Sequence, residues 1–478
     1  MAVPTDDTRV RLRLRGLGEP ITLFGEGPAD RRDRLRELMT DLAERRDAAA
    51  AALGQAVDVD MGEAASPSSE KSAAAATGDE SEAEQQEEFY TEGSPELLEA
   101  RREIARYSLP RAKARVDRLR EESTIPLPTH IKFRKAVKEQ LHRFDLYGSQ
   151  IAADRPVSIC RFSPDGRTIA TGNWGGGIRM LDLPSLEIQK GNWKAHTDRV
   201  GGLSWFPGAT LPSSNVSPST LNLASGGGEG NVVLWPLEQD QPLATLSGHT
   251  SRVCRVEFHP SGRYLASASF DTTWRLWDVE KTTELLLQEG HSRELFTVAF
   301  NTDGSLLASG GLDSIGRIWD LRTGRTVMIL EGHIREIYGL DWGADGYRVL
   351  SSSGDGWVKC WDLRQVRCTG GIGAHKSVVS DLRWYKGGNN PPTAAENGTT
   401  AMDIDEPIHK PIQPRKAGTF LATSGFDRNV NIFSADDWSL VKTLSGHSGN
   451  VLSVDVSDDA RWIASCGHDR TVKLWGVE

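Results

Sequence analysis

Residues 248–278 read "GHTSRVCRVEFHPSGRYLASASFDTTWRLWD", and 42 residues later residues 290–320 read "GHSRELFTVAFNTDGSLLASGGLDSIGRIWD". Each copy opens on Gly-His, closes on Trp-Asp, and holds three short apolar or alternating runs between turn residues. The interval holds outward from this pair. Trp235, Trp277, Trp319 and Trp361 are 42 apart, as are His249, His291, His333 and His375, and again Phe433 and Trp475. A unit of this length makes one small four-stranded sheet that cannot bury its two faces alone. Stacking such units around an axis buries them. Seven units can be counted, which predicts an all-β seven-bladed propeller over residues 143–478, with helical segments before it.

The dipeptides are those of WD repeats, and four positions recur inside each unit. A His precedes strand a, a Ser lies on strand b, an Asp follows four residues later, and a Trp sits six further on in strand c. The full set is His249, Ser267, Asp271 and Trp277 in the third blade, and His291, Ser309, Asp313 and Trp319 in the fourth. His333, Ser351, Asp355 and Trp361 form it in the fifth, and His447, Ser465, Asp469 and Trp475 in the seventh. Blade six substitutes Thr423 and Phe433 around His375 and Asp427, and blade two places Glu229 between Ser225 and Trp235. In blade one the same alignment meets Ala153, Gly175 and Leu181. Two blades are longer than the rest. The first insertion is the loop "TLPSSNVSPST", and the second, about 386–417, is rich in Pro, Asn and Gly and is expected to be disordered. The chain ends without a fourth strand for its last blade, so segment 143–151 is expected to supply it and remove an open sheet edge.

A repeated Ser, His and Asp invites a catalytic reading, but no enzyme needs that many copies of one nucleophile. The set reads as structural, with every buried polar group satisfied by its neighbour, and the chain as not an enzyme. The glycine runs "GNWGGG" (172–177) and "SGGGEG" (225–230) fall in turns between strands b and c with no helix after them, so they are no phosphate cradle. Residues just before the Asp position, Trp174, Phe270, Phe426 and His468, share one face of the propeller with Arg199, Arg252, Arg293 and Arg335. Arginines among aromatics suit an acidic protein surface or an RNA backbone. Trp319-Asp320-Leu321-Arg322 and Trp361-Asp362-Leu363-Arg364 resemble the WDxR boxes of cullin ubiquitin-ligase substrate receptors, the alternative function.

Net charge is −10 and unevenly placed. Residues 47–92 hold one Lys against twelve acidic residues, in an Ala/Ser/Glu/Gly-rich stretch read as a disordered linker. Residues 93–142 form a basic helical neck, and 111–143 alone carry ten Lys/Arg against four Asp/Glu. Arg115, Arg118, Lys132, Arg134 and Lys135 are candidate contacts to RNA phosphate or an acidic partner. Ser94-Pro95 starts a first neck helix, Pro110 a second, and Thr129 caps a third along Phe133, Val137, Leu141 and Phe144. Five cysteines show no metal-ligand spacing. No apolar run approaches membrane length, so no membrane association is expected, and the chain reads as intracellular. No cofactor or metal is expected.

Before the linker, residues 9–46 hold a short apolar stretch that presents Leu23 and Phe24 between Gly-rich turns. Leu35, Leu38, Met39 and Leu42 then line one face of an amphipathic helix, read as having no core of its own to cover and so as partner-binding. The run "LRGLGEPITLFGEGPADRRDRLREL" (14–38) resembles the splicing-factor motif of the pre-mRNA-processing factor 4 family, WD-repeat proteins of the spliceosomal U4/U6 particle. The likeness continues through "YTEGSPELLEARREIARYSLPRAKARVDRLR" (90–120), "GGLDSIGRIWDLRTGR" (310–325) and "LEGHIREIYGLDW" (330–342). It implies a nuclear, non-catalytic scaffold of the U4/U6 and U4/U6.U5 tri-snRNP. It also implies pairing with a pre-mRNA-processing factor 3-like protein, association with a spliceosomal cyclophilin, and a possible contact to snRNA.

Overall fold

The structure is a computed structural model that describes residues 10–11, 13–14, 31–40, 93–212, 214, 216–387 and 414–477. The chain divides into two compact units, Met1–Ala76 and Thr77–Glu478. In the first, residues 10–11, 13–14 and 31–40 are helical. Leu35 is buried with Val10 and Leu14, while Leu38 and Met39 are partly buried beside them. The amphipathic helix is therefore not coreless: the helical residues upstream cover part of its apolar stripe. Leu23, Phe24 and Leu42 lie outside the described residues.

Among the described residues, the second unit holds helix α1 (Pro95–Ser123), helix α2 (Leu127–His142) and 28 strands. The Ser94 side chain caps α1 by accepting from the Leu97 amide at 3.3 Å. The sequence predicts a break at Pro110, yet α1 runs through it. Pro110 stands on the exposed side of the helix, where water can serve the carbonyl that a proline cannot bond. The last helix starts at Leu127 behind Pro126, not at Thr129, whose amide already donates to the Pro126 carbonyl at 3.0 Å. The neck thus has two helices where punctuation predicts three.

The strands form seven four-stranded antiparallel sheets. Six take their strands in chain order, from β2 (Val157–Phe162) through β5 (Ile188–Lys194) in blade one to β22 (Val379–Trp384) through β25 (Leu440–Ser445) in blade six. The seventh runs in the order β1 (Asp145–Ile151), β28 (Thr471–Gly476), β27 (Trp462–Gly467) and β26 (Val451–Val456). Its outer strand β1 pairs with β28, Ser149 opposite Lys473, as the missing fourth strand requires. Apolar side chains fill the spaces between neighbouring blades. Between blades four and five, for example, Ile318, Met328, Ile337, Leu340 and Trp342 form one buried cluster.

Strand order gives the propeller two unlike faces. The upper one carries the b–c turns and the d–a crossings, the lower one the a–b and c–d turns. The first insertion, the described ends of the second, and the two neck helices lie at the lower face. Leu97, Ala100 and Ile104 of α1 are buried with Tyr264, Trp274 and Leu285 of blade three. Val137 and Leu141 of α2, with Phe144, are buried with Tyr385, Phe420 and Val441 of blade six. Most of the second insertion, residues 388–413, lies outside the described residues.

Candidate functional site: two faces of a propeller

The recurring polar set is a closed chain of hydrogen bonds. In blade three His249 Nδ1 donates to Asp271 at 2.8 Å, Ser267 Oγ donates to Nε2 at 2.7 Å, and the Trp277 indole donates to the same Oγ at 2.8 Å. Blades four, five and seven repeat it, with His291, His333 and His447 each between its Asp and its Ser. Blade two closes it with Glu229 and Ser225, and blade six with Asp427 and Thr423 but no indole. Ser267, Ser309, Ser351 and Ser465 are fully buried. A substrate cannot reach these hydroxyls, and their lone pairs and protons are already engaged. Burial raises the Asp271 pKa, but the His249 and Thr273 hydrogen bonds outweigh it and leave the carboxyl well below its ordinary range.

Around the axis, Asp381 of β22 accepts from Arg255 of β10 (Val253–Phe258) at 2.8 Å and from Arg161 of β2 at 3.1 Å. Ser453 Oγ adds a 2.7 Å bond to Asp381. This buried cluster joins blades one, three, six and seven across the channel. Burial raises the Asp381 pKa, yet Arg255 and Arg161 hold it below the usual carboxylate range.

Above this cluster the channel opens into a cavity of about 170 Å³. Every blade has a bulge one residue into strand a, and the skipped residues are Ser158, Gly201, Cys254, Phe296, Tyr338, Ser380 and Leu452. All seven line the cavity. A bulge re-aims a side chain out of the pleat, and here it points one residue per blade at the axis. Arg199 and Arg252 join them at the mouth. The Arg252 guanidinium stacks 3.4 Å from the Phe270 ring centroid, and burial lowers its pKa. Phe270 meets Phe296 at 5.0 Å, which meets Tyr338 at 4.9 Å.

Of the residues singled out on this face, Trp174, Arg199 and His468 come together. Arg199 lies 5.5 Å from the Trp174 ring, whose edge contact to His468 is also 5.5 Å. Arg252 and Phe270 form the second group. Arg293 and Arg335 are exposed and Phe426 is half-buried, without a ring contact to the other members. The sequence reading missed Phe296 and Tyr338. Their signal was available: each directly follows the first buried residue of strand a, the bulge position of every blade.

The neck cations divide. Arg115 is bonded to Asp303 and to the Asp345 carbonyl, and Arg134 is paired with Asp436 at 3.1 Å. Burial lowers the Arg118 pKa. Lys132 and Lys135 are exposed. The WDxR arginines fold back on their own blades. Arg322 makes two 3.0 Å bonds to Asp320, and Arg364 stacks 3.4 Å from the Tyr347 ring centroid. All five cysteines are free, with Cys160, Cys360 and Cys466 buried. Among the described residues no group of His, Cys, Asp and Glu could hold a metal ion, and no helix is long and apolar enough to cross a membrane.

Blades, recurrent polar sets and Gly-His loops define a WD-repeat propeller protein, and the WD domain, G-beta repeat model matches residues 145–182, 240–278, 282–320, 324–362 and 438–476. The two stretched blades fall largely outside these matches. A second family model, pre-mRNA processing factor 4 (PRP4) like, matches residues 10–38. U4/U6 small nuclear ribonucleoprotein PRP4 of Saccharomyces cerevisiae is 36% identical over 479 residues, covering 99% of this chain and 90% of that protein. An uncharacterised WD repeat-containing protein of Schizosaccharomyces pombe is 43% identical over 266 residues, 55% of this chain and 51% of its own. U4/U6 small nuclear ribonucleoprotein Prp4 of Bos taurus is 40% identical over 223 residues, 47% of this chain and 38% of that protein. The matches thus span about half or less of the last two relatives and nine-tenths of the first. The chain belongs to the Prp4 family.

Proposed function

We propose that the chain is a non-catalytic scaffold subunit of the U4/U6 particle and the U4/U6.U5 tri-snRNP, acting in the nucleus in pre-mRNA splicing. The observation that carries this is the near end-to-end similarity to the yeast U4/U6 protein, together with the motif at residues 10–38. The architecture suits the role, because a propeller offers two faces and a rim while its own polar groups are spent internally. In this reading the first unit and the neck hold a pre-mRNA-processing factor 3-like protein and the spliceosomal cyclophilin, and the upper cavity takes a further partner. Exposed Lys132 and Lys135, with Arg118, are the neck cations left for an acidic partner or snRNA phosphate. The cullin alternative has no comparable support. Its two arginines are held in place by Asp320 and Tyr347, and a ligase receptor has no use for the motif at 10–38.

The test is recovery of the tagged chain from nuclear extract, probed for U4 and U6 RNA and for cullin adaptors. U4 and U6 should be enriched, and depletion of the chain should lower tri-snRNP levels and stall splicing. Unchanged tri-snRNP levels and splicing after depletion overturn the reading.

A further inference from the structure

Helix α1 spends only one side of itself on the propeller. Roughly 100° round from the buried Leu97 and Ile104, residues Leu98, Arg102, Ala105, Leu109, Ala112 and Val116 follow one another at steps of four and three. That spacing keeps a line of side chains in register with a second helix. Leu98 is 49% exposed, Leu109 57% and Val116 39%. A single exposed leucine needs no explanation, but two leucines and a valine on one line over about 27 Å form a seam. Beyond Leu98 and its exposed neighbour Glu99, the exposed charge beside the seam is of one sign. Every exposed charged residue between positions 102 and 120 is a cation: Arg102, Arg106, Lys113 and Arg120. The acidic residues of that span are already engaged, Glu103 by Arg263 and Asp117 by Arg120. On α2 the same chemistry recurs, with Leu127 and Ile131 exposed next to Lys132 and Lys135.

We propose that this side of α1 is the docking surface for an amphipathic helix of another protein, about five turns long, apolar along one seam and acidic beside it. The proposal deepens the scaffold reading by giving the chemistry of one partner. The seam's period is that of helix-on-helix packing, and its two alanines allow close approach. A strand would find no unpaired backbone in the middle of α1 to bond. Nucleic acid would use the cations and leave the leucines idle.

The experiment uses the purified full chain and two labelled synthetic 21-residue helices with leucine at the seam positions, one flanked by glutamate and one by lysine. Fluorescence anisotropy should show binding of the glutamate-flanked helix and none of the other. Binding should weaken at least tenfold in Leu98→Ser/Leu109→Ser/Val116→Ser and in Arg102→Glu/Arg106→Glu/Lys113→Glu. Both triple variants, and Leu109→Ser alone, should melt with the parent, because the side chains are exposed. Failure of the parent to bind, equal binding of both helices, or affinity unchanged by the serine variant overturns the proposal. Loss in the charge variant alone points to nucleic acid or an acidic coil, and overturns it too. No particle is needed, so this outcome is independent of whether the chain enters U4/U6.

Discussion

Arg115 of α1 donates through Nε to Asp303 at 2.8 Å and through Nη1 to the Asp345 carbonyl at 2.7 Å, so one side chain ties the neck to the lower turns of two adjacent blades. Asp303 is 6% exposed and would be left without this partner in Arg115→Ala. That variant should lose about 1.5–3 kcal/mol, the range for hydrogen bonds to charged groups. Lys132→Glu with Lys135→Glu should stay within about 0.5 kcal/mol of the parent. Urea unfolding checks both, and equal losses in the two would show that the neck is not held as described.

The same division bears on RNA. If the neck touches single-stranded snRNA, exposed Lys132 and Lys135 are best placed to meet phosphate, and each contact contributes a slope of about −0.7 in log affinity against log salt. The double reversal should therefore flatten the slope by about 1.4. A slope that does not move assigns these lysines to protein contact or to solvent.

Ser267→Ala removes the hydroxyl that serves both His249 and Trp277, leaving two buried groups short of a partner. A loss of about 1–3 kcal/mol is expected. Thr423→Ala in blade six should cost less, because Phe433 stands where the indole would be. Differential scanning calorimetry on both variants orders them, and the reverse order would refute the account.

His259 is buried, bonded to the Gly304 carbonyl at 2.8 Å and in ring contact with Tyr107 of α1 at 5.5 Å. Burial pushes its pKa down to about 4, below the unfolded value of 6.5. The unfolded chain therefore takes up the proton first. The stability that His259 contributes is full above pH 6.5, declines as pH falls towards 4, and changes no further below that. The window is worth about 3 kcal/mol at 1.36 kcal/mol per unit. His259→Gln should remove that part of the slope of stability against pH. An unaltered slope would place the acid sensitivity elsewhere.

Leu35 is core within the first unit, whereas Leu38 and Met39 remain partly open. Leu38→Asp with Met39→Asp should reduce recovery of a partner while the propeller melts unchanged. Retained recovery would exclude docking by this stripe.

The propeller was legible because its period comes from buried, repeated packing, which one sequence displays several times over. The closing strand followed from counting, since blade seven shows three strands and segment 143–151 stands before blade one outside any other blade. The neck was less legible. Pro110 breaks a helix in isolation, but burial of Leu97, Ala100 and Ile104 on one side and solvent on the other let α1 continue. Nor could charge alone separate Arg115 from Lys132, because that depends on which side of a helix meets the propeller. The upper cavity was half visible: Arg252 and Phe270 were found by position, while Phe296 and Tyr338 needed the bulge to turn them towards the axis.

The pairing of β1 with β28 also sets an order in time. Ser149 and Lys473 bond across 324 residues of chain, so β1 leaves the ribosome roughly 15–65 s before its partner at ordinary synthesis rates. Through that interval its backbone is an unmatched edge, exposed to other nascent chains. A premature stop that removes only β28 leaves six blades made and the ring unable to shut. Truncation just before Thr471 should therefore produce aggregation as severe as a much earlier stop.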